Sequence, residues 1–390
     1  MHSFDGTGGA KPTAALVQAT NGDLYGTTFQ GGVDGLPNPT GTAFKLSPSG
    51  GLMTLHNFCS QRNSAGDCLD GANPTQPLFQ AANGDLYGMT YYAGDNTFCP
   101  NQCGVIFKMT LSGTLLTLYS FCPDGKGILC TDGEQPYGVG LIQAPDKHFY
   151  GTTTYGGSIK AIDWRIDYGC GTVFQITPSG TLTTLHTFCA DGSLPMTGLT
   201  RAFNGDFYGT TTSGGTGCAG NGGCGTVFKI TASGTLTTLY SFCTQTGCPD
   251  GKGPNTALIQ ADNGDIYGTT PSGGATGGGT IFQITKAGTL TTLYSFCALT
   301  GCADGKNSTG LIQGSDGNLY GTTSAGGAYG EGTVFEFTDG MLTTFYSFCA
   351  TSGCPDGASP NALVQHTNGA FYGTARRGGK HHQGTHLASR

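Results

Sequence analysis

Charged side chains make up only 11% of this 390-residue chain, and they sum to a net charge of −7. Nucleic acids are held by basic surfaces, so this balance excludes them as partners. No run of about 18 apolar residues occurs, so no segment is expected to cross a membrane as a helix. No signal peptide is visible either, because Met1 is followed at once by His2-Ser3-Phe4, which already belongs to the repeat described below. Tryptophan occurs once. The chain has no G-x-S-x-G elbow, no H-E-x-x-H pair and no phosphate loop, so no catalytic motif points to an enzyme. Glycine is abundant, at 70 residues, and 16 cysteines are present. That many cysteines at recurring positions point to an oxidising compartment, so the chain reads as secreted, periplasmic or displayed on a cell surface.

The stretch 258–297, LIQADNGDIYGTTPSGGATGGGTIFQITKAGTLTTLYSFC, shows how the chain is organised. Four apolar runs, LIQA, DIYGTT, GTIFQIT and TLTTLYSF, are rich in β-branched and aromatic residues and read as strands. Asn263-Gly264, a Gly/Ser/Thr cluster and Ala287-Gly288 separate them, and glycine at a tight turn accepts positive φ at no steric cost. One unit is therefore a four-stranded antiparallel meander. Its Tyr-Gly pair recurs at Tyr25, Tyr87, Tyr150, Tyr208, Tyr267, Tyr320 and Tyr372, spaced 52–63 residues apart. A lone sheet would leave an apolar face wet, whereas blades stacked around an axis bury both faces. The coils of a β-helix are much shorter than this period. The expected fold is all-β, a seven-bladed β-propeller of four-stranded antiparallel blades.

The repeat makes residues 1–390 one domain, with blades at about 15–58, 78–121, 141–188, 199–242, 258–296 and 311–348. The seventh is expected from 363–390 together with 1–4. His2-Ser3-Phe4 matches the end of a fourth strand, such as Tyr240-Ser241-Phe242, and Gln383–Leu387 reads as a worn third strand. N- and C-terminal strands joined in one blade would close the ring and remove exposed sheet edges. In such a meander the connections after strands two and four emerge on one face. All the cysteines fall there, so disulfides are expected on one face only.

Counting from the hairpin turns places Cys224 opposite Cys243, Cys170 opposite Cys189, and Cys103 opposite Cys122. Opposed residues lie within disulfide reach. Where the opposed residue is Thr40, Gly278 or Gly330, a loop partner is expected instead: Cys59–Cys68, Cys297–Cys302 and Cys349–Cys354. Cys99/Cys130 and Cys218/Cys248 would complete the set, with local pairs such as Cys99–Cys103 left open. A zinc reading of Cys99 and Cys103 is disfavoured, since the spacing varies between blades.

The string GLIQ…DGNLYGTTSAGG…GTVFEFT…TTFYSF, clearest at residues 310–348, resembles the bacterial GloVer tandem repeat. The resemblance covers nearly the whole chain and implies an exported propeller, without implying a particular activity. Such proteins often carry a C-terminal surface anchor; the chain here ends in ARRGGKHHQGTHLASR, with no apolar tail. The strand pattern is more distantly similar to NHL-type propellers, which bears on fold alone.

Two features recur in the blades. An Asp-Gly step precedes each first strand (Asp5, Asp70, Asp132, Asp191, Asp250, Asp304, Asp356) and is expected to cap its own turn, with a ring of Ca²⁺-binding carboxylates as the alternative. First-strand glutamines (Gln18, Gln80, Gln143, Gln260, Gln313, Gln365) are expected to bond to neighbouring blades rather than to line a channel, and Arg201 replaces the seventh. Departures from the repeat say more about function. The longest connection after a second strand, residues 155–168, holds Tyr155, Asp163, Trp164, Arg165, Asp167 and Tyr168, and the preceding blade offers Tyr91, Tyr92, Asp95 and Phe98 on the same face. Aromatic faces beside carboxylates and amides suit a sugar. With Arg201, these residues are the candidate ligand site, weighed against a small satellite core under Trp164. The expected function is an extracellular or cell-surface binding module, acting as a monomer, for carbohydrate, another extracellular polymer or a surface protein. The alternatives are a polysaccharide hydrolase or lyase using pairs from Asp163, Asp167, Asp95 and Glu134, and a purely structural or adhesive repeat. No cofactor is required, and His381, His382 and His386 are set aside as metal ligands.

Overall fold

The computed structural model describes residues 3–32, 40–47, 50–64, 66–94, 103–123, 130–137, 140–157, 169–189, 191–218 and 223–389. Seven four-stranded antiparallel sheets follow one another along the chain, and the fold is the seven-bladed β-propeller that the repeat predicts. Blade 5 is typical, with strands Ile259–Gln260, Ile266–Thr270, Thr280–Ile284 and Leu290–Ser295 paired in chain order. Two compact units carry the blades. Residues 2–189 with 193–199 hold blades 1 to 3; residues 190–192 and 200–390, with Met1, hold blades 4 to 7.

The Tyr-Gly pair has a packing cause. In blade 5, Gly268 lies opposite Phe282, and a Cβ on Gly268 would sit 2.5 Å from the Phe282 ring tip and 2.6 Å from Leu258 Cδ2. The missing side chain leaves the hole that the third-strand phenylalanine fills. A β-bulge aims that ring: the register between strands three and four shifts between Ile281 and Phe282, and at the same step in blades 1 to 4 and 6. The buried ring then meets the last phenylalanine of the preceding blade edge-on. Phe58–Phe107 and Phe121–Phe174 do so in one unit and Phe242–Phe282 and Phe296–Phe335 in the other, with centroids 5.2–5.5 Å apart.

Phe4 stands in the same relation to Phe44, at 5.2 Å, so the first described residues behave as the end of a fourth strand. Met1 and His2 of the expected closing strand lie outside the described residues. In blade 7, Ala358–Pro360 and Val364–Gln365 both pair with Phe371–Arg377 as two pieces of a first strand, and Thr385–Ser389 is the third.

The repeated polar residues tie loops and blades together. Asp304 accepts hydrogen bonds from the Tyr294 hydroxyl (2.9 Å) and from the N–H groups of Ala298 and Leu299. Asp70, Asp132, Asp250 and Asp356 likewise cap their own loops, with His56 in place of tyrosine at Asp70. The following glycine is required: on Gly305, at φ +88, a Cβ would lie 2.3 Å from the Thr323 hydroxyl. The glutamines bridge blades. Gln80, Gln143, Gln260, Gln313 and Gln365 accept, through Oε1, the N–H of Thr20, Ala82, Phe203, Asp262 and Ser315 in the preceding blade. Each Nε2 donates to a carbonyl of its own turn.

The disulfides correct part of the expected pairing. Cys170–Cys189 joins opposed strand ends, and Cys59–Cys68, Cys297–Cys302 and Cys349–Cys354 are loop pairs, as the counting predicts. Cys122 bonds to Cys130 rather than to Cys103, Cys224 to Cys218 rather than to Cys243, and Cys243 to Cys248. The strand register is as counted, with Thr226 opposite Ser241 and Val105 opposite Ser120. The local backbone decides otherwise. Cys59, Cys122, Cys243, Cys297 and Cys349 all adopt positive φ, between 58° and 68°, which turns the chain back into a tight loop and brings its second cysteine alongside. Cys189 is not among the positive-φ residues, and it bonds across the sheet. Cys99 lies outside the described residues. Removing the cross-strand bond with Cys170→Ser and Cys189→Ser together is expected to cost about 3 kcal/mol, from the loop closed by a separation of 19 residues. Urea unfolding of the double variant checks this, and an unchanged midpoint would contradict it.

Candidate functional site

The residues that depart from the repeat in blades 2 and 3 come together around Tyr91. A short antiparallel bridge precedes each first strand: Ala72 pairs with Tyr92 in blade 2, and Glu134 with Tyr155 in blade 3. Both bonds of each bridge are made, with Glu134 N–H to Tyr155 O at 3.0 Å and the reverse at 3.2 Å. Other blades carry Ala10 with Gln30, or Lys252 with Ser272, at these positions. The backbone scaffold is thus shared, and only the side chains placed on it differ.

Tyr91 packs edge-on against Tyr92, at 4.4 Å, and against Tyr137, at 5.4 Å. Burial raises its hydroxyl well above the usual tyrosine range, and the nearby charges of Tyr92, Tyr155, Tyr137 and Glu134 raise it further. Tyr137 is 37% exposed and forms the outer edge of the cluster, whereas Glu134 is only 7% exposed. Its Oε2 lies 3.3 Å from Cys130 Sγ. Among the described residues no cation pairs with Glu134. Burial, and then the charge of Asp132, push its carboxyl up from 4.5 to about 7. Asp132 is itself held by the Tyr119 hydroxyl and the Cys122 N–H. The cluster therefore offers aromatic surface, phenolic donors and a carboxyl that is partly protonated near neutral pH.

Of the candidate ligand residues, Tyr91, Tyr92 and Tyr155 are brought together. Phe98, Asp163, Trp164, Arg165 and Tyr168 lie outside the described residues, as do Asp95 and Asp167. Arg201 belongs to the other compact unit, half-buried on the first strand of blade 4. Its guanidinium reaches to within 3.9 Å of a Cβ built on Gly205, over its own turn, where the glutamines of other blades make theirs. Tyr137 was not expected from sequence. Its signal is a connection one residue longer in blade 3, from Gly133 to Gln143, than in blade 2, from Gly71 to Gln80. His381 and His382 are exposed and His386 is buried in Thr385–Ser389; the clusters of possible metal ligands among the described residues consist of cysteines alone.

Fold and sequence together define a repeat-built, disulfide-stapled propeller with a tyrosine–carboxyl cluster on two adjacent blades. The chain belongs to the Gloeobacter/Verrucomicrobia repeat family, which matches residues 1–222 and 165–387. No characterised protein with a curated description matches it. Among solved structures it is similar to a protein assigned as a gluconolactonase (13% identity, 87% of this chain and 90% of that one, TM-score 0.44). It is also similar to a luciferin-regenerating enzyme (13% identity, 80% of this chain and 85% of that one, TM-score 0.45). A structure from a study of two prolyl endopeptidases aligns over 99% of this chain and 51% of that one, at 11% identity and TM-score 0.51. At these identities the likeness is one of fold. No helix among the described residues is long and apolar enough to cross a membrane.

Proposed function

We propose that the protein is an exported binding module that takes an extracellular polysaccharide at the cluster of Tyr91, Tyr92, Tyr137, Tyr155 and Glu134. The observation that carries this reading is the packing of Tyr91 against two further tyrosines beside a buried, unpaired carboxyl. Edge-on packing leaves aromatic faces available for the C–H face of a sugar, while hydroxyls and the carboxyl can meet sugar hydroxyls. Seven disulfides among the described residues support a role in an oxidising compartment, secreted, periplasmic or at the cell surface.

Affinity electrophoresis through a panel of neutral and acidic polysaccharides tests this, comparing the intact protein with Tyr91→Ala and Trp164→Ala. One polymer is expected to retard the intact protein, and Tyr91→Ala is expected to lose most of that retardation. Trp164→Ala reports whether the long loop takes part. Retardation unchanged by Tyr91→Ala would place binding elsewhere, and no retardation by any polymer would remove the carbohydrate reading. Soluble sugar fragments released during incubation would instead make the protein a polysaccharide-degrading enzyme.

A further inference from the structure

We propose that the outer strand of blade 6 is a docking face for a β-hairpin of this same repeat type, supplied by a second polypeptide. The internal repeats show what normally covers that face. In the fourth strand of each earlier blade a leucine packs beneath the fourth-strand leucine of the next blade. Leu55 meets the cluster containing Leu115, Leu118 that containing Leu182, Leu239 that containing Leu290, and Leu293 that containing Leu342. The turn glycine of the covering hairpin comes down onto the leucine's backbone. A Cβ on Gly113, Gly180 or Gly288 would lie 2.6, 2.5 or 2.6 Å from the carbonyl oxygen of Leu55, Leu118 or Leu239.

Phe345 occupies this leucine position in blade 6, and it is 56% exposed, with Met341 at 67% and Tyr346 at 43%. The equivalent Leu55, Leu118, Leu239 and Leu293, and the equivalent Tyr119, Tyr240 and Tyr294, are all at least half-buried. Phe345 stacks on Tyr320 of its own blade, with centroids 6.1 Å apart and rings 14° from parallel. Met341 and Phe345 point the same way along Met341–Ser347, so the apolar surface is one face of a strand. The described strands of blade 7 run only to the third, Thr385–Ser389, and supply no fourth-strand leucine to lie over Phe345. A contiguous exposed apolar face of this kind marks an interaction surface. The occupant that fits has the chemistry found at the four covered positions: a glycine turn that can approach a carbonyl, followed by alternating threonine and leucine. Recognition would be a form of β-strand complementation.

The test uses a labelled synthetic peptide copying Thr285–Phe296, TKAGTLTTLYSF, titrated with the intact protein and read by fluorescence anisotropy. Saturable one-to-one binding is expected. It should weaken roughly tenfold or more for Phe345→Asp in the protein, and similarly for Leu290→Asp in the peptide, as for a central aromatic or aliphatic anchor. Phe345 is exposed, so the variant should melt with the intact protein, and Phe345→Ala serves as a second variant that adds no charge. No saturable binding, or binding unaffected by both Phe345 variants, would overturn the proposal. So would self-association of the protein that Phe345→Asp abolishes while the peptide does not bind, because the occupant would then be another face of a second copy.

Discussion

Replacing Phe282 with alanine is expected to cost about 3–5 kcal/mol, the range for emptying an aromatic site in a packed core. The ring is fully buried, fills the hole left by Gly268, touches Leu258 through that hole and meets Phe242 edge-on at 5.3 Å. The site cannot collapse to close the cavity, because the backbones on both sides are pinned by strand pairing with register Gly268 opposite Phe282. A loss of that size is a large share of the stability of a typical domain, roughly 5–15 kcal/mol. Phe345→Ala is the internal control. It removes the same ring from an exposed position and should change stability by no more than about 0.5 kcal/mol. Urea unfolding with the disulfides intact measures both. If the two variants unfold at the same midpoint, the aromatic ladder is not what holds the blades together.

The second large effect depends on pH and comes from Glu134. Its carboxyl titrates near 7 in the folded chain against 4.5 for an ordinary glutamate, because it is buried and lies beside Asp132. Between these values the folded protein holds a proton that the unfolded chain has released. Stability therefore falls as pH rises through that window, stays low above it, and owes nothing to this group below pH 4.5. At about 1.4 kcal/mol per pH unit the loss is about 3 kcal/mol by pH 8. Glu134→Gln keeps the shape and removes the charge. It should match the intact protein at pH 4 and exceed it by about 2–3 kcal/mol at pH 8, as measured by urea midpoints at the two pH values. Equal stability of the two proteins at pH 8 would mean that the carboxyl is better solvated than its burial implies.

Much of the fold was legible because the repeat states it several times. The Tyr-Gly pair, the third-strand phenylalanine and the fourth-strand Leu-Tyr-Ser-Phe each mark a contact that every intact blade makes, so the spacing alone gave the number of blades. The role of the glutamines was legible for the same reason. Where the repeat departs from itself, at Arg201 in place of glutamine, the preceding blade also departs: Pro145 stands where Thr20, Ala82, Phe203, Asp262 and Ser315 offer an N–H, and proline has none.

The disulfide pairing was less legible, because register fixes which residues oppose one another but not the backbone φ at a strand end. Positive φ at Cys122 and Cys243 sends each sulfur to its loop partner. All four sulfurs of Cys218, Cys224, Cys243 and Cys248 lie within 4.8 Å of one another, so opposition alone could not choose among them. In the candidate site, Tyr91, Tyr92 and Tyr155 were marked by departing from the repeat. Glu134 was named only as a carboxylate, and Tyr137 was hidden because it sits before a first strand, in a connection whose extra residue has no counterpart to align with.

The central claim is that ligand is held at the tyrosine–Glu134 cluster, and the measurement closest to it is the affinity for the retarding polysaccharide at pH 6 and pH 8. The carboxyl of Glu134 loses its proton across this interval, while an amide at the same position donates at both values. The intact protein is therefore predicted to bind several-fold more tightly at pH 6, and Glu134→Gln to bind equally at both. Equal affinity of the intact protein at the two pH values would contradict the account and remove Glu134 from the binding site.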